Sequence, residues 1–203
     1  MLRRRRRARR GAAERGARRR RGAWAAARGR ARRRPRWRSA ADPGRRPQAS
    51  PLPSFKTIVE TNLVGTYNVL RLAAARMAHN DEEPDGDRGA FVLTSSVAAF
   101  DGQAGQTAYT ASKAAVHGIT LVAARDLARW SIRVNTIAPG LFATPMLGKL
   151  PPDVFDTLSA AVPHPRRLGQ PPEFGRLAVE LLENPYLNGE TIRLDGAVRV
   201  PNR

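Results

Sequence analysis

The sequence predicts an α/β fold built on a parallel sheet and carried by residues 51–203. Three observations predict it. Short apolar runs of strand length alternate with long segments whose apolar residues recur at helical spacing, the order that sandwiches a parallel sheet between helices. Two of those runs, Ala90–Ser95 and Ile132–Ala138, are nearly continuous in apolar and small residues, as strands covered on both faces are. Composition also changes sharply near Pro51, so the fold class belongs to the residues beyond that point.

The elements run in this order. Leu52, Phe55, Ile58, Val59, Leu63, Val69, Leu70, Leu72 and Ala73 recur at helical spacing and predict a helix over roughly 52–79. Gly65 lies inside it, where glycine costs about 1 kcal/mol relative to alanine, so a close contact with another helix or the sheet is expected there. The acidic run Asp81–Asp87 lacks the ligand spacing and closing Glu of a calcium loop and reads as a solvated turn. The first strand follows at 90–95, then a glycine-rich loop from Asp101 to Gly105, then a second long helix over about 107–129. A strand at 132–138 is stopped by Pro139-Gly140. Gln170-Pro171-Pro172-Glu173 opens a helix to about 183 with proline in its first turn, and Thr191–Leu194 forms a last short strand.

Charge is segregated. Residues 1–50 contain 21 Arg, no Lys and two acids (Glu14 and Asp42), whereas residues 51–203 balance 15 basic against 15 acidic side chains. The net charge of +19 therefore belongs to the first quarter of the chain. That segment is mostly Arg, Ala, Gly and Pro, shows no stable apolar period, and is expected to be disordered. Three readings of it stay open. It is a nucleic-acid-binding arm whose guanidiniums release counterions and whose Trp24 and Trp37 stack on bases, an organelle-targeting segment, or a mistranslated stretch of GC-rich coding sequence. The chain has no cysteine, which excludes disulfides and thiolate metal sites and fits a reducing, cytoplasmic setting. No apolar run reaches the length of a membrane-spanning helix. His79, His117 and His164 show no metal-ligand spacing, and no metal is expected. Trp130, at a helix end, reads as a packing residue.

The chemistry concentrates on the second long helix. Tyr109 and Lys113 are four residues apart and share a helix face. A neighbouring ammonium favours a phenolate, and a phenol so placed can exchange a proton with a carbonyl or alcohol oxygen. A Tyr-x-x-x-Lys spacing is weak alone. Ser96 strengthens it, because it follows the apolar strand at the end where parallel sheets open onto a ligand crevice. Small residues (Ala111, Ser112, Ala114, Ala115) surround Lys113 and allow a flat ligand or a second helix to approach. Pro139-Gly140 follows the next strand at a second crevice mouth, with Phe142 and Thr144 beyond.

Taken together, Asn62-Leu63-Val64-Gly65, Ser96, Tyr109-Thr110-Ala111-Ser112-Lys113 and Ile137-Ala138-Pro139-Gly140 resemble, in order, the motifs of the short-chain dehydrogenase/reductase family. Leu141–Met146 and Asn188–Ala197 are most similar to its 3-hydroxyacyl-CoA dehydrogenase type-2 branch. The resemblance covers about 51–203 and implies a partial doubly wound, Rossmann-like sheet with its N-terminal half missing. It implies hydride transfer between NAD, with NADP as the alternative, and a secondary alcohol or ketone such as a 3-hydroxyacyl-CoA. It implies Tyr109 as acid/base, Ser96 orienting the substrate oxygen, Lys113 supporting Tyr109 and holding the nicotinamide ribose, and Asn62 in a water-linked proton relay. Pro139, Gly140, Phe142 and Thr144 would line the nicotinamide end, and Gln103 would lie near the substrate. The helices at 52–79 and 107–129 would pair copies of the chain into a homo-oligomer.

One part of the family pattern is not found. No T-G-x-x-x-G-x-G occurs, and Gly11, Gly16, Gly22 and Gly29 are scattered among arginines with no strand before them. The helix N-terminus that seats a dinucleotide pyrophosphate in such folds therefore has no counterpart here. The expectation is an incomplete family domain with impaired cofactor binding and an apolar strand exposed at the sheet edge.

Overall fold

The computed structural model describes residues 49–145 and 151–200. The Arg-rich segment up to residue 48, and with it the readings made of that segment, lies outside them. Among the described residues, five helices and three strands run in the order α1 (Leu52–Val59), α2 (Gly65–Met77), β1 (Gly89–Thr94), α3 (Thr107–Ala128), β2 (Ile132–Pro139), α4 (Pro152–Ala160), α5 (Pro171–Glu183) and β3 (Thr191–Leu194).

The expected first helix is therefore two helices joined by a π-helical turn, Glu60–Val64. A π turn fits an extra residue into the helix, loosens the hydrogen-bond ladder and is enriched at functional sites. Asn62 stands in it. Gly65 is where the chain returns to α geometry, and the expected close contact is not there: a β-carbon would meet only the Glu60 carbonyl oxygen, at 3.6 Å. The glycine marks the end of the irregular turn rather than a tight helix crossing.

The three strands form one parallel sheet in the order β1-β2-β3. Ile132 to Ala138 of β2 are all buried, which explains its nearly unbroken apolar run. β1 pairs with β2 from Gly89↔Ile132 to Thr94↔Ile137, and β1 has no other described partner strand. Side chains alternate faces along a strand. Phe91 and Leu93 point into one core, with Leu70, Ala74, Val116, Ala124 and Val134 from the α2, α3 and β2 side. Val92 packs into a second core around Ile137, Ala178 and Leu181, under α5. Helices thus cover both sheet faces, and the sheet belongs to the doubly wound class.

Polar side chains fix the ends of the sheet. At its N-terminal end, the buried Arg133 donates to Asp87 Oδ2 at 2.6 Å and to the carbonyls of Leu181, Leu182 and Leu187, each at 2.9 Å. Two of those carbonyls belong to the last turn of α5, which has no intrahelical donor for them. Asn135 binds the same connection from both sides, donating to the Leu187 carbonyl at 2.7 Å and accepting from Glu190 N at 3.0 Å. Between α3 and β2, the buried hydroxyls of Thr120 and Thr136 share a 2.6 Å hydrogen bond. Helix α4 was not expected from the sequence, although Pro151 and Pro152 at its start are the type of residue that opens a helix. α5 starts on a capping box, in which Glu173 Oε2 accepts from Gln170 N at 2.6 Å.

Candidate active site

The C-terminal ends of β1 and β2 carry the site. β1 ends at Thr94, and Ser95 and Ser96 turn the chain into the short 3-10 turn Val97–Ala99. Ser95 is buried and donates to the Lys113 carbonyl at 2.7 Å, tying the strand end to α3. Ser96 is extended (φ −165°) and accepts from Ala98 N at 3.2 Å. That bond uses an oxygen lone pair and leaves the hydroxyl proton to donate elsewhere.

Tyr109 and Lys113 stand one turn apart on α3, with the Lys113 ammonium 5.9 Å from the Tyr109 ring centroid. Lys113 Nζ donates to the Thr94 carbonyl at 2.8 Å, so the last residue of β1 fixes where the charge sits. Burial lowers the Lys113 pKa from its ordinary value of 10.5. An ammonium has three protons, and Thr94 takes one of them.

Asn62 reaches the same helix from the π turn. Its Nδ2 donates to Ser112 Oγ at 3.0 Å, and Ser112 Oγ donates to the Tyr109 carbonyl at 2.8 Å. Ser112, read from the sequence as merely small, is a buried connector between the Asn62 turn and the Tyr109 backbone. The signal that could have found it is its place between Tyr109 and Lys113: a residue one before the lysine faces inward when the pair faces the crevice.

The remaining expected residues separate into two further places. Gln103 lines a shallow depression with Gly102, Ala104, Thr107, Thr110 and Ala111. Its side chain accepts a short hydrogen bond from Gln106 Nε2. Phe142 lines a different, mostly apolar cleft of about 330 Å³ with Leu141, Val162, Pro165, Gly169 and Leu194. It packs edge-on against Phe174 at 6.3 Å and pairs by a β-bridge with Gly169. Pro139 ends β2 and Gly140 follows it, with Gly140 N donating to the Leu194 carbonyl at 2.9 Å. Thr144 is half-buried on the same connection. Asn62, Ser96, Tyr109 and Lys113 therefore gather around the end of β1 and the start of α3, while Gln103 and Phe142 line two separate hollows.

Sequence reasoning missed Arg193, on β3. It donates to Asp101 Oδ2 at 2.6 Å and to Asp195 Oδ2 at 2.7 Å. The Arg193 guanidinium holds the Asp101 carboxyl below its ordinary value. No local spacing could have revealed a pair 92 residues apart. Trp130, read as a packing residue, is about half exposed and lies outside the core clusters, with the Arg129 guanidinium 5.6 Å from its ring.

Comparison with known proteins shows the family and the fold. The family model for short chain dehydrogenases matches residues 45–154. The chain belongs to the short-chain dehydrogenase family. It is 54% identical over 149 residues to mouse 3-hydroxyacyl-CoA dehydrogenase type-2, an alignment covering 73% of this chain and 57% of that one. A crystal structure of 3-hydroxyacyl-CoA dehydrogenase type-2 from Mycobacterium avium superposes with a TM-score of 0.76 at 46% identity, covering 77% of this chain and 61% of that chain. A 3-oxoacyl-[acyl-carrier protein] reductase from Brucella melitensis, solved with bound NAD, superposes with a TM-score of 0.63 at 32% identity, covering 74% and 54% of the two chains. The chain thus spans less than two thirds of the length of these relatives. Among the described residues no helix is long and apolar enough to cross a membrane.

Proposed function

We propose that residues 51–203 form the catalytic part of an NAD(P)-dependent short-chain dehydrogenase that interconverts a secondary alcohol and a ketone, with a 3-hydroxyacyl-CoA thioester as the substrate class. The observation that carries this reading is the Tyr109–Lys113 pair at the end of β1, with Lys113 anchored on Thr94. Tyr109 takes the hydroxyl proton from the alcohol, or returns it to the ketone. Ser96 donates to the same oxygen. Asn62, through Ser112, holds the start of α3 that presents Tyr109, and joins the path by which the proton reaches water.

The donor set fits the nicotinamide end of the cofactor. Lys113 has two protons beyond the one given to Thr94, suited to the vicinal hydroxyls of a ribose. Pro139 ends β2, and Gly140, Phe142 and Thr144 follow it, at the strand end where such folds bind dinucleotides. The cofactor supplies hydride transfer, and the protein supplies position and the proton.

The test is oxidation of a 3-hydroxyacyl thioester at saturating NAD, followed by NADH absorbance, with Tyr109→Phe alongside. Turnover that the phenylalanine variant abolishes supports the reading. Turnover that survives it overturns the assignment of Tyr109. Helices α1, α2 and α3, with the turn between the first two, leave Leu52, Val64, Tyr67, Leu72, Leu121 and Val122 exposed, and we infer that copies of the chain associate there. Sedimentation of a monomer at micromolar concentration would contradict it.

A second reading rests on charge. The 21 arginines of residues 1–50 suit a polyanion, and an inactive protein held to nucleic acid by this arm would explain their segregation. RNA retention that falls steeply with salt and vanishes on deleting the arm would favour it. Retention unchanged by the deletion would discard it.

A further inference from the structure

Arg193 lies outside the residues assigned to the chemistry, yet two segments next to the site meet on it. Its Nη1 and Nη2 donate to Asp101 Oδ1 and Oδ2 at 3.3 and 2.6 Å, and its Nε donates to Asp195 Oδ2 at 2.7 Å. Nη2 also donates to the Val198 carbonyl at 3.0 Å, and the guanidinium lies 5.2 Å from the Phe100 ring centroid. Arg199 Nη1 reaches Asp195 from outside at 3.3 Å.

Exposed ion pairs contribute little on average, because solvent screens them and two side chains must be ordered. This one differs in geometry. The side chains of Arg193 and Asp101 are only 21% and 20% exposed, the contact is a two-pronged fork, and an aromatic face covers the guanidinium. The segments it joins also matter. Asp101 opens the loop that carries Gln103 and leads into α3. That loop includes Gly102 and Gly105, the latter at φ +81°, so it loses much chain entropy on ordering. Asp195 is the residue on which Gly140 rests: a β-carbon on Gly140 would lie 2.7 Å from Asp195 Cβ. One guanidinium therefore ties the loop before Tyr109 to the connection after β2.

We propose that Arg193 is a positioning residue, whose fork on Asp101 and Asp195 holds the 101–106 loop in register with Gly140 and so sets Gln103 against the substrate beside Tyr109. The proposal rests on the dehydrogenase reading of Tyr109 and Gln103. A lysine in its place keeps the charge and loses the fork. An asparagine at Asp101 keeps the shape and loses the charge.

The test uses the whole chain as wild type, Arg193→Lys, Asp101→Asn and the double variant. Amide hydrogen exchange is read over 101–106 and over β2, and thioester turnover is measured in parallel. Expected are exchange several-fold faster in 101–106 with β2 unchanged, a KM raised several-fold more than kcat falls, and a double variant whose defect is clearly smaller than the sum of the two single defects. Uniformly faster exchange with a matching fall in melting temperature would make Arg193 merely structural and overturn the proposal. Unchanged exchange in 101–106, or an unchanged KM in an active protein, would also overturn it. If the wild type shows no turnover, the dehydrogenase reading fails; local loosening of 101–106 then upholds the loop-holding role alone, and its absence removes that too.

Discussion

Replacing Gly140 by alanine separates a packing role from a cofactor role at the mouth of β2. A β-carbon there would lie 2.7 Å from Asp195 Cβ, 2.9 Å from Asp195 Cα and 3.3 Å from Val198 Cγ1. Carbon atoms pack favourably at about 3.5–4.0 Å, so two of these contacts are repulsive. Relief requires a shift of Asp195, and its main chain cannot drift freely: Asp195 is bound by Arg193 and Arg199, and Gly140 N is bound to the Leu194 carbonyl. Forcing a methyl group into packed surroundings costs typically about 1–3 kcal/mol. For a domain of this size, a loss of about 2 kcal/mol corresponds to roughly a 4–8 °C fall in Tm. Urea unfolding followed by circular dichroism, with thermal scans in parallel, measures it. Gly140→Ala is expected to lower the midpoint with the denaturant slope unchanged, in the absence of any nucleotide. A variant as stable as wild type would refute the reasoning, and would leave cofactor approach as the surviving account of the glycine.

Four further outcomes are expected. Arg133→Met strands the Asp87 carboxylate and three carbonyls at the buried end of β2, and should cost about 3–5 kcal/mol by equilibrium unfolding; a loss under about 1 kcal/mol would contradict the bonding described. Tyr109→Phe removes the proton-exchanging hydroxyl and should lower kcat by about a hundred- to ten-thousand-fold in the NADH assay with little change in Tm. Glu173 is held down to about 2, first by its hydrogen bonds from Arg167 and then by Gln170 N, against an ordinary value of 4.5. Its folded-state pKa is depressed, so its contribution is complete above 4.5 and is lost as pH falls toward 2; Glu173→Gln should flatten the acid limb of the stability profile over that window. At Lys113 the sign of the contribution is reversed, since burial lowers its pKa below 10.5 and penalises the charged form in the folded state. That cost is fully present at low pH and is relieved as pH rises through the folded value toward 10.5, so the stability of Lys113→Met relative to wild type should fall as pH rises over that window, and a pH-independent difference would rule this out.

Much of the fold was legible because its cause is local or periodic. β2 is buried on both faces, so its apolar run identified it, and the helical spacing on α2, α3 and α5 reflects one face held against the sheet, whereas α1 buries no residue. The Tyr109–Lys113 pair was legible for the same reason, since a spacing of four on a helix is enough to bring two side chains to one face. The π turn at Glu60–Val64 left no mark in the apolar spacing, which continues across it, and helix α4 was hidden in a short segment with few periodic positions.

By itself, then, the sequence determined the α/β class, the three strands and the helices before and between them apart from α4 and the π turn, the segregation of charge, and the family motifs around Asn62, Ser96, Tyr109 and Lys113. Each arises from period, composition or short spacing. Only the tertiary structure decided that Thr94 anchors Lys113, that Ser112 joins Asn62 to the Tyr109 backbone, and that Arg193 gathers Asp101 and Asp195. Only it separated Gln103 and Phe142 into two hollows, and gave Gly140 a packing reason in Asp195. Most of these partners lie tens of residues apart, and they are brought together by the parallel crossover, which returns each strand's C-terminal end to the same edge of the sheet.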